Sequence, residues 1–288
     1  MIVRADDSID QLAEKVSIAT ILGTYQSTLT HFPYLRKIWK QNTEAERLLG
    51  VSMTGIMDNR QLIDLGELRF TLERLKGIAV EVNAQLADQL NIPVSAAITC
   101  VKPSGTVSQL CDTASGLHPR HSAYYIRRVR GDNKDPLTKF LISQGVPNEP
   151  DVTKPDNTTV FSFPMKAPDG AFLRDDLTAK MHFKLWLEYQ RHWCEHKPSV
   201  TINVKDEEWM ALGADVYEYF DEVSGVAFLP YDGGSYRQAP YEEITEEEYL
   251  KWMSVMPQEI RWEDFIEVED NVEGAQTLAC SSGWCEIV

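Results

Sequence analysis

Two cysteines near the end of the sequence, Cys280 and Cys285, are separated by Ser-Ser-Gly-Trp and lie in a stretch without apolar periodicity. Thiols so spaced can close a small disulfide, because Gly283 lets the backbone bend until the Cβ atoms approach to roughly 3.5–4.5 Å. A dithiol on a mobile arm can carry electrons between a buried disulfide and an external reductant by thiol–disulfide exchange, at a rate set by thiolate access. The competing readings are a loose terminus that happens to hold two cysteines, or half of a zinc site. Zinc needs four ligands, and His118/His121 and His192/Cys194/His196 lack the usual spacing of structural zinc. The spacing favours a redox shuttle.

A second candidate is Lys102-Pro-Ser-Gly-Thr-Val-Ser108. Gly105 permits close approach, consecutive backbone N–H groups can point inward, and Ser104, Thr106 and Ser108 add hydroxyl donors around Val107, which together suit an anion such as phosphate. It is not a Walker loop, since Gly-Lys-Ser/Thr is missing and Lys102 precedes the turn. An ordinary capped loop is the plainer alternative. In Ser115-Gly-Leu-His118-Pro-Arg120, glycine and proline fix an irregular backbone from which His118 and Arg120 could line a pocket; a hydrogen-bonded structural histidine is the alternative. Arg127-Arg128-Val129-Arg130 could hold a small anion or be a solvated strand end.

These residues need elements to place them. Ser8 with Gln11 reads as a capping box for a helix over about 9–28, and Thr43 with Glu46 as the cap of a short helix ending near Gly50. Apolar spacing predicts a long helix over about 66–90, ended at Pro93, followed by a buried strand over 94–101 that delivers the serine-rich loop at its C-terminal end. Further strands are expected at 124–130, 161–164 and 199–204, and helices at 135–144, about 175–194 and 245–256. Val51–Asp58, with its interior glycine, suggests close backbone approach. From Glu267 the chain is acidic and aperiodic, which predicts a flexible arm over 266–288 after a main body over 1–265.

With 288 residues, 43% hydrophobic and 25% charged, the composition is globular, and the net charge of −16 argues against a nucleic-acid partner. No apolar run approaches the roughly 18 residues of a membrane span, and the N-terminus lacks a signal-peptide core. A cytoplasmic location is expected, where a disulfide is transient and catalytic. Cys100, Cys111 and Cys194 sit in apolar or aromatic company, as unpaired buried cysteines do.

Taken in order, Leu48–Met57, Lys102–Leu110, Ser115–Arg120, Tyr124–Arg130, His196-Lys-Pro-Ser-Val-Thr201 and the Cys280/Cys285 pair resemble adenosylcobalamin-dependent (class II) ribonucleotide reductase of the monomeric triphosphate-reducing type. The resemblance covers essentially the whole chain but only the C-terminal part of that enzyme. It implies an α/β fold, the later strands and helices of a ten-stranded α/β barrel of the glycyl-radical and ribonucleotide reductase type. It also implies that Ser104, Gly105, Thr106, Val107 and Ser108 hold the phosphates of a ribonucleoside triphosphate, and that Cys280 and Cys285 re-reduce an active-site disulfide and are regenerated by thioredoxin or glutaredoxin. The family's radical cysteine lies before the region matching Ile2–Asp7, so the resemblance implies a partner, the upstream half, with which adenosylcobalamin is shared. The alternative is a non-catalytic fragment of a decayed reductase that binds a nucleotide or a redox partner.

Overall fold

The computed structural model describes residues 1–105, 107–231 and 236–267. Thr106, Cys280 and Cys285, and the expected arm from residue 268 onward, lie outside the described residues. Helix α1 (Ile9–Gln26) begins at the expected capping box, the Ser8 side chain accepting from Gln11 and the Gln11 side chain from Ser8. Helix α2 (Lys37–Glu46) differs from expectation. It starts after Arg36, which contributes no side-chain cap, so Thr43 lies within the helix, and it ends at Arg47 in the left-handed region. Strand β1 (Val51–Ser52) leads to helix α3 (Leu68–Leu90), closed by left-handed Asn91 ahead of Pro93. Strand β2 (Thr99–Cys100) is shorter than the predicted strand, and the short helix α4 (Val107–Leu110) follows it.

The chain continues through β3 (Tyr124–Asp132), α5 (Pro136–Ser143, capped by Asp135), β4 (Asn148–Pro150) and β5 (Thr158–Lys166). Then come α6 (Ala179–His192), β6 (Val200–Val204), α7 (Trp209–Glu218), β7 (Val226–Pro230), β8 (Tyr241–Glu243) and α8 (Glu246–Val255). Helix α7 and strands β4, β7 and β8 have no counterpart in the sequence reading.

The chain divides into two compact units, residues 1–120 with 169–231, and residues 121–168 with 232 onward. In the first, β1 pairs in parallel with β2 across α3, and β6 with β7 across α7. Parallel strands need such crossovers. Between the pairs, Glu195 donates its N–H to the Thr99 carbonyl (2.9 Å) and Ser199 to Val101 (3.2 Å). The core gathers Leu12 and Val16 from α1, Leu68, Leu72 and Leu75 from α3, Phe183 and Trp186 from α6, and Ile202 and Val204 from β6. Burying each large apolar side chain contributes about 1.5–3 kcal/mol. Close backbone approach occurs where predicted: Gly55 has φ +94°, and a Cβ there would lie 2.2 Å from the Val3 carbonyl oxygen.

The second unit is an antiparallel sheet in the order β4-β5-β3-β8, with β3 and β5 paired from Tyr124↔Lys166 to Asp132↔Thr158. Phe140 of α5 packs against Trp262 and Phe265, with ring centroids at 5.5 and 5.2 Å.

Candidate functional site

The serine-rich loop leaves the C-terminal end of β2, in the first unit. Ser104 donates its backbone N–H to Ser115 Oγ (2.8 Å), and Ser108 donates its own to Ser104 Oγ (3.0 Å), while the buried Ser108 hydroxyl bonds the Ser104 carbonyl. Lys102 is held at both ends, its N–H on Ser52 Oγ (3.2 Å) and its ammonium on the Lys197 carbonyl (2.5 Å) and Ser199 Oγ (3.3 Å). The two serine side chains therefore shape the loop. Among the described residues, the backbone N–H groups of half-buried Gly105 and exposed Val107 have no hydrogen-bond partner. Two amide donors without a partner on a loop that its own hydroxyls brace suit an anion.

His118 and Arg120 lie inside the packing next to this loop. His118 Nε2 accepts the Thr201 N–H (3.1 Å), which leaves the ring proton on Nδ1 to be donated to the Ser115 carbonyl (2.9 Å). Burial lowers its pKa. His182 stands edge-on to it at 6.4 Å and donates Nε2–H to the Leu117 carbonyl (2.7 Å). Burial first, and then the neighbouring His118, push its pKa down to about 4. Arg120 grips Asp58 with two parallel bonds, Nε to Oδ1 (2.9 Å) and a terminal N–H to Oδ2 (3.0 Å), and reaches Asp112 at Oδ1 (2.8 Å) and at its carbonyl (2.9 Å). Asp58 Oδ2 also accepts the Ala114 N–H (2.9 Å). The carboxylate and guanidinium thus fix residues 112–120, and through Ser115 they fix the loop.

No protein-family model matches the chain. It is 30% identical over 266 residues to an adenosylcobalamin-dependent ribonucleoside-triphosphate reductase of Euglena gracilis, covering 91% of this chain and 36% of the relative. The enzyme of that name from Lactobacillus gasseri is 28% identical over 298 residues, with 93% and 40% covered. The crystal structure of a B12-dependent (class II) ribonucleotide reductase superposes with a TM-score of 0.75 at 27% identity, over 86% of this chain and 38% of that one. The chain is a partial-length homologue of the class II ribonucleotide reductases. Its fold is that of part of such a reductase, and it spans well under half the length of the relatives it matches.

Several residues that position the loop in this reductase homologue carry no local sequence signal. Ser115, Asp58, Ser52 and Thr201 act through contacts with residues distant in the chain. His196 bonds the Leu49 carbonyl through Nε2 (2.8 Å). Cys100 is buried, Cys111 and Cys194 are partly buried, and all three are free thiols. Burial raises the pKa of Cys100 and, more strongly, of Cys194, so neither is a ready thiolate. In the second unit, the strand arginines bind its own segments. Arg127 stacks on Tyr241 (4.5 Å), Arg128 donates to the Ala239 carbonyl (3.1 Å), and Arg130 to Asp151 (2.8 Å) and the Gln238 carbonyl (3.1 Å). Among the described residues, no group of three or more His, Cys, Asp or Glu is placed to hold a metal ion, and no helix is long and apolar enough to cross a membrane.

Proposed function

We propose that this chain contributes the substrate-phosphate loop and part of the barrel wall to the reduction of ribonucleoside triphosphates to deoxyribonucleotides. The observation that carries this reading is the loop at the end of β2, braced by its own hydroxyls, whose Gly105 and Val107 amides have no partner among the described residues, in a chain homologous to triphosphate reductases along nearly all its length. Ser104, Gly105, Thr106, Val107 and Ser108 would form the phosphate cradle, the amides donating to phosphate oxygens and the hydroxyls holding the backbone in place. His118 and Arg120 would act from behind it, as supports of residues 112–120.

Cys280 and Cys285 would supply the reducing equivalents. One thiolate attacks the active-site disulfide, the second resolves the mixed disulfide, and the two active-site thiols are restored while Cys280 and Cys285 become the disulfide. Thioredoxin or glutaredoxin would reduce that disulfide in turn. Adenosylcobalamin, named for the relatives, supplies radical initiation when bound. In this chain the imidazoles of His118, His182, His192 and His196 are hydrogen-bonded, and burial raises the pKa of the Cys100 and Cys194 thiols, so none of these is assigned to it. Its site would be shared with the upstream half of the fold. A cytoplasmic location fits a thiol shuttle that a reducing compartment recharges.

The test is deoxyribonucleotide formation from a ribonucleoside triphosphate with adenosylcobalamin and a dithiol, using this chain alone and then mixed with a polypeptide corresponding to the part of the relatives that this chain does not span. Activity only in the mixture is expected, and replacing Cys280 and Cys285 by serine should abolish turnover with thioredoxin while sparing turnover with a small dithiol. No activity in a mixture of two folded chains would overturn the reading in favour of a non-catalytic fragment.

A further inference from the structure

At the C-terminal ends of β6 and β7, two cations stand over one aromatic ring. The strands run parallel and in register to Val204↔Pro230, and Tyr231 donates its N–H to the Val204 carbonyl (2.8 Å), so Lys205 and Tyr231 leave the sheet side by side. Arg174 comes from another segment, docked through its N–H on the Arg120 carbonyl (2.8 Å). The central carbon of the Arg174 guanidinium lies 4.7 Å from the centre of the Tyr231 ring, and the Lys205 ammonium lies 5.5 Å from it.

Like charges so placed repel, and the acids beside them are engaged elsewhere. Arg174 Nε is buried without a hydrogen-bond partner, and Asp175 Oδ1 stands 3.9 Å from it, beyond hydrogen-bond reach. That oxygen already accepts the Tyr231 hydroxyl (2.7 Å). Among the described residues the Lys205 ammonium has no acceptor at hydrogen-bond distance. Asp176 Oδ2 accepts the Leu173 N–H (2.9 Å), and the Glu208 carboxylate accepts the N–H groups of Lys205 (3.0 Å) and Ala179 (3.0 Å). These caps fix where each cation leaves the backbone and leave its charge unspent. A half-buried guanidinium with unused donors costs stability until an ion or ligand supplies the acceptors. Sheets of parallel strands hold ligands outside the carboxyl ends of those strands. Two positive charges and a planar donor fork suit an oxyanion with two negative charges, the charge of a phosphate group, better than a single carboxylate.

We propose that Arg174 and Lys205, set together over Tyr231, form a second phosphate-binding site, separate from the Ser104–Ser108 loop. The short Ser115–Arg120 segment serves both places: Ser115 Oγ accepts the Ser104 N–H at one end, and the Arg120 carbonyl accepts the Arg174 N–H at the other. The site goes beyond the reductase reading and stands whether or not the chain takes part in that reaction.

The experiment follows the Arg174 side-chain Nε–H signal of the full chain by NMR, assigned through its disappearance in Arg174→Lys, during titration with inorganic pyrophosphate. A saturable shift is expected. Lys205→Gln should weaken binding about 10-fold or more without lowering the melting temperature, and Lys205→Arg should retain it. Val107→Pro removes a loop amide at a helix start that tolerates proline, and it should leave the Arg174 titration unchanged. Displacement of the pyrophosphate by a nucleoside triphosphate would support a nucleotide as the source of the phosphate, whereas pyrophosphate held against it would support a free phosphate. No shift at millimolar pyrophosphate, or an affinity that Lys205→Gln leaves intact, overturns the site. A shift lost in Val107→Pro overturns its separateness, since loop and cations then hold one ligand.

Discussion

Arg120 and Arg130 lie close in sequence but in different compact units, and each reaches a buried aspartate. Arg120 is 3% exposed and meets Asp58 through two parallel bonds, and apart from Arg120 the Asp58 carboxylate accepts the Ala114 N–H. Arg130 is 28% exposed and meets Asp151 through Nε, whereas Asp151 also accepts from the Thr153 N–H and hydroxyl and the Lys154 N–H of its own turn. Arg120 holds both oxygens of the Asp58 carboxylate, whereas Arg130 holds Oδ2 of an aspartate whose Oδ1 is already engaged by its own turn. Short parallel strands leave irregular segments such as 112–120 without a ladder of their own, so side chains must fix them. The long antiparallel ladder of β3 and β5 is fixed by its backbone, and its arginines fasten what lies beside it.

Removal of the buried guanidinium should have the largest effect. Arg120→Ala should cost about 3–5 kcal/mol, because the buried Asp58 would lose its cation and two of its hydrogen bonds. Urea denaturation measures this, and a loss below about 1 kcal/mol would show that Asp58 is satisfied without Arg120.

Acid should then separate the two units. His182, bonded to the Leu117 carbonyl, has its pKa lowered to about 4, so between its ordinary value of about 6.5 and 4 the unfolded chain binds the extra proton. Stability should rise with pH across that window, by on the order of 3 kcal/mol, and be lost on acidification. For Asp151, burial acts to raise the pKa, but hydrogen bonds from Thr153 and Arg130 outweigh it and hold the carboxyl well below the usual range. Its contribution is complete above about pH 4 and falls only as the pH drops further. Hydrogen exchange between pH 6.5 and 4 should therefore accelerate at β6, whose Val200–Val204 adjoins His118, before it does at β3. Simultaneous loss would contradict this. The smallest effect is expected from Arg130→Ala, about 1 kcal/mol by thermal denaturation, since the turn continues to hold Asp151 through Oδ1 and, with the half-buried Arg130 side chain gone, water reaches Oδ2.

Local chemistry was the legible part of this fold. The capping boxes of α1 and α8 each lie within one turn of sequence: Ser8 with Gln11 occurs as predicted, and Thr245 with Glu248 opens the helix expected over 245–256. The same pattern misled at α2, where Thr43 and Glu46 imitate a cap inside a helix whose start has no side-chain cap at all. Strand β7 carries little local signal because its Val226–Pro230 run alternates only weakly between half-buried and exposed positions, and its place comes from pairing with β6. The same division holds at the candidate site. Ser104, Gly105 and Ser108 stand out from their own neighbours. Ser115 and Asp58 do not, because their roles appear only when Arg120 draws residues 58, 112 and 120 together.

The order in which the two units use the chain has a consequence for synthesis. The first unit is complete only when residues 169–231 join residues 1–120, with 121–168 of the second unit made in between. At roughly 5–20 residues per second, the interval from residue 120 to residue 231 is about 6–22 s on the ribosome. During that time β1, β2 and α3 stand without α6, whose Phe183 and Trp186 belong to the same core. Newly made chains thus present a half-lined interior for seconds, a period in which a chaperone has more to cover than at any later stage.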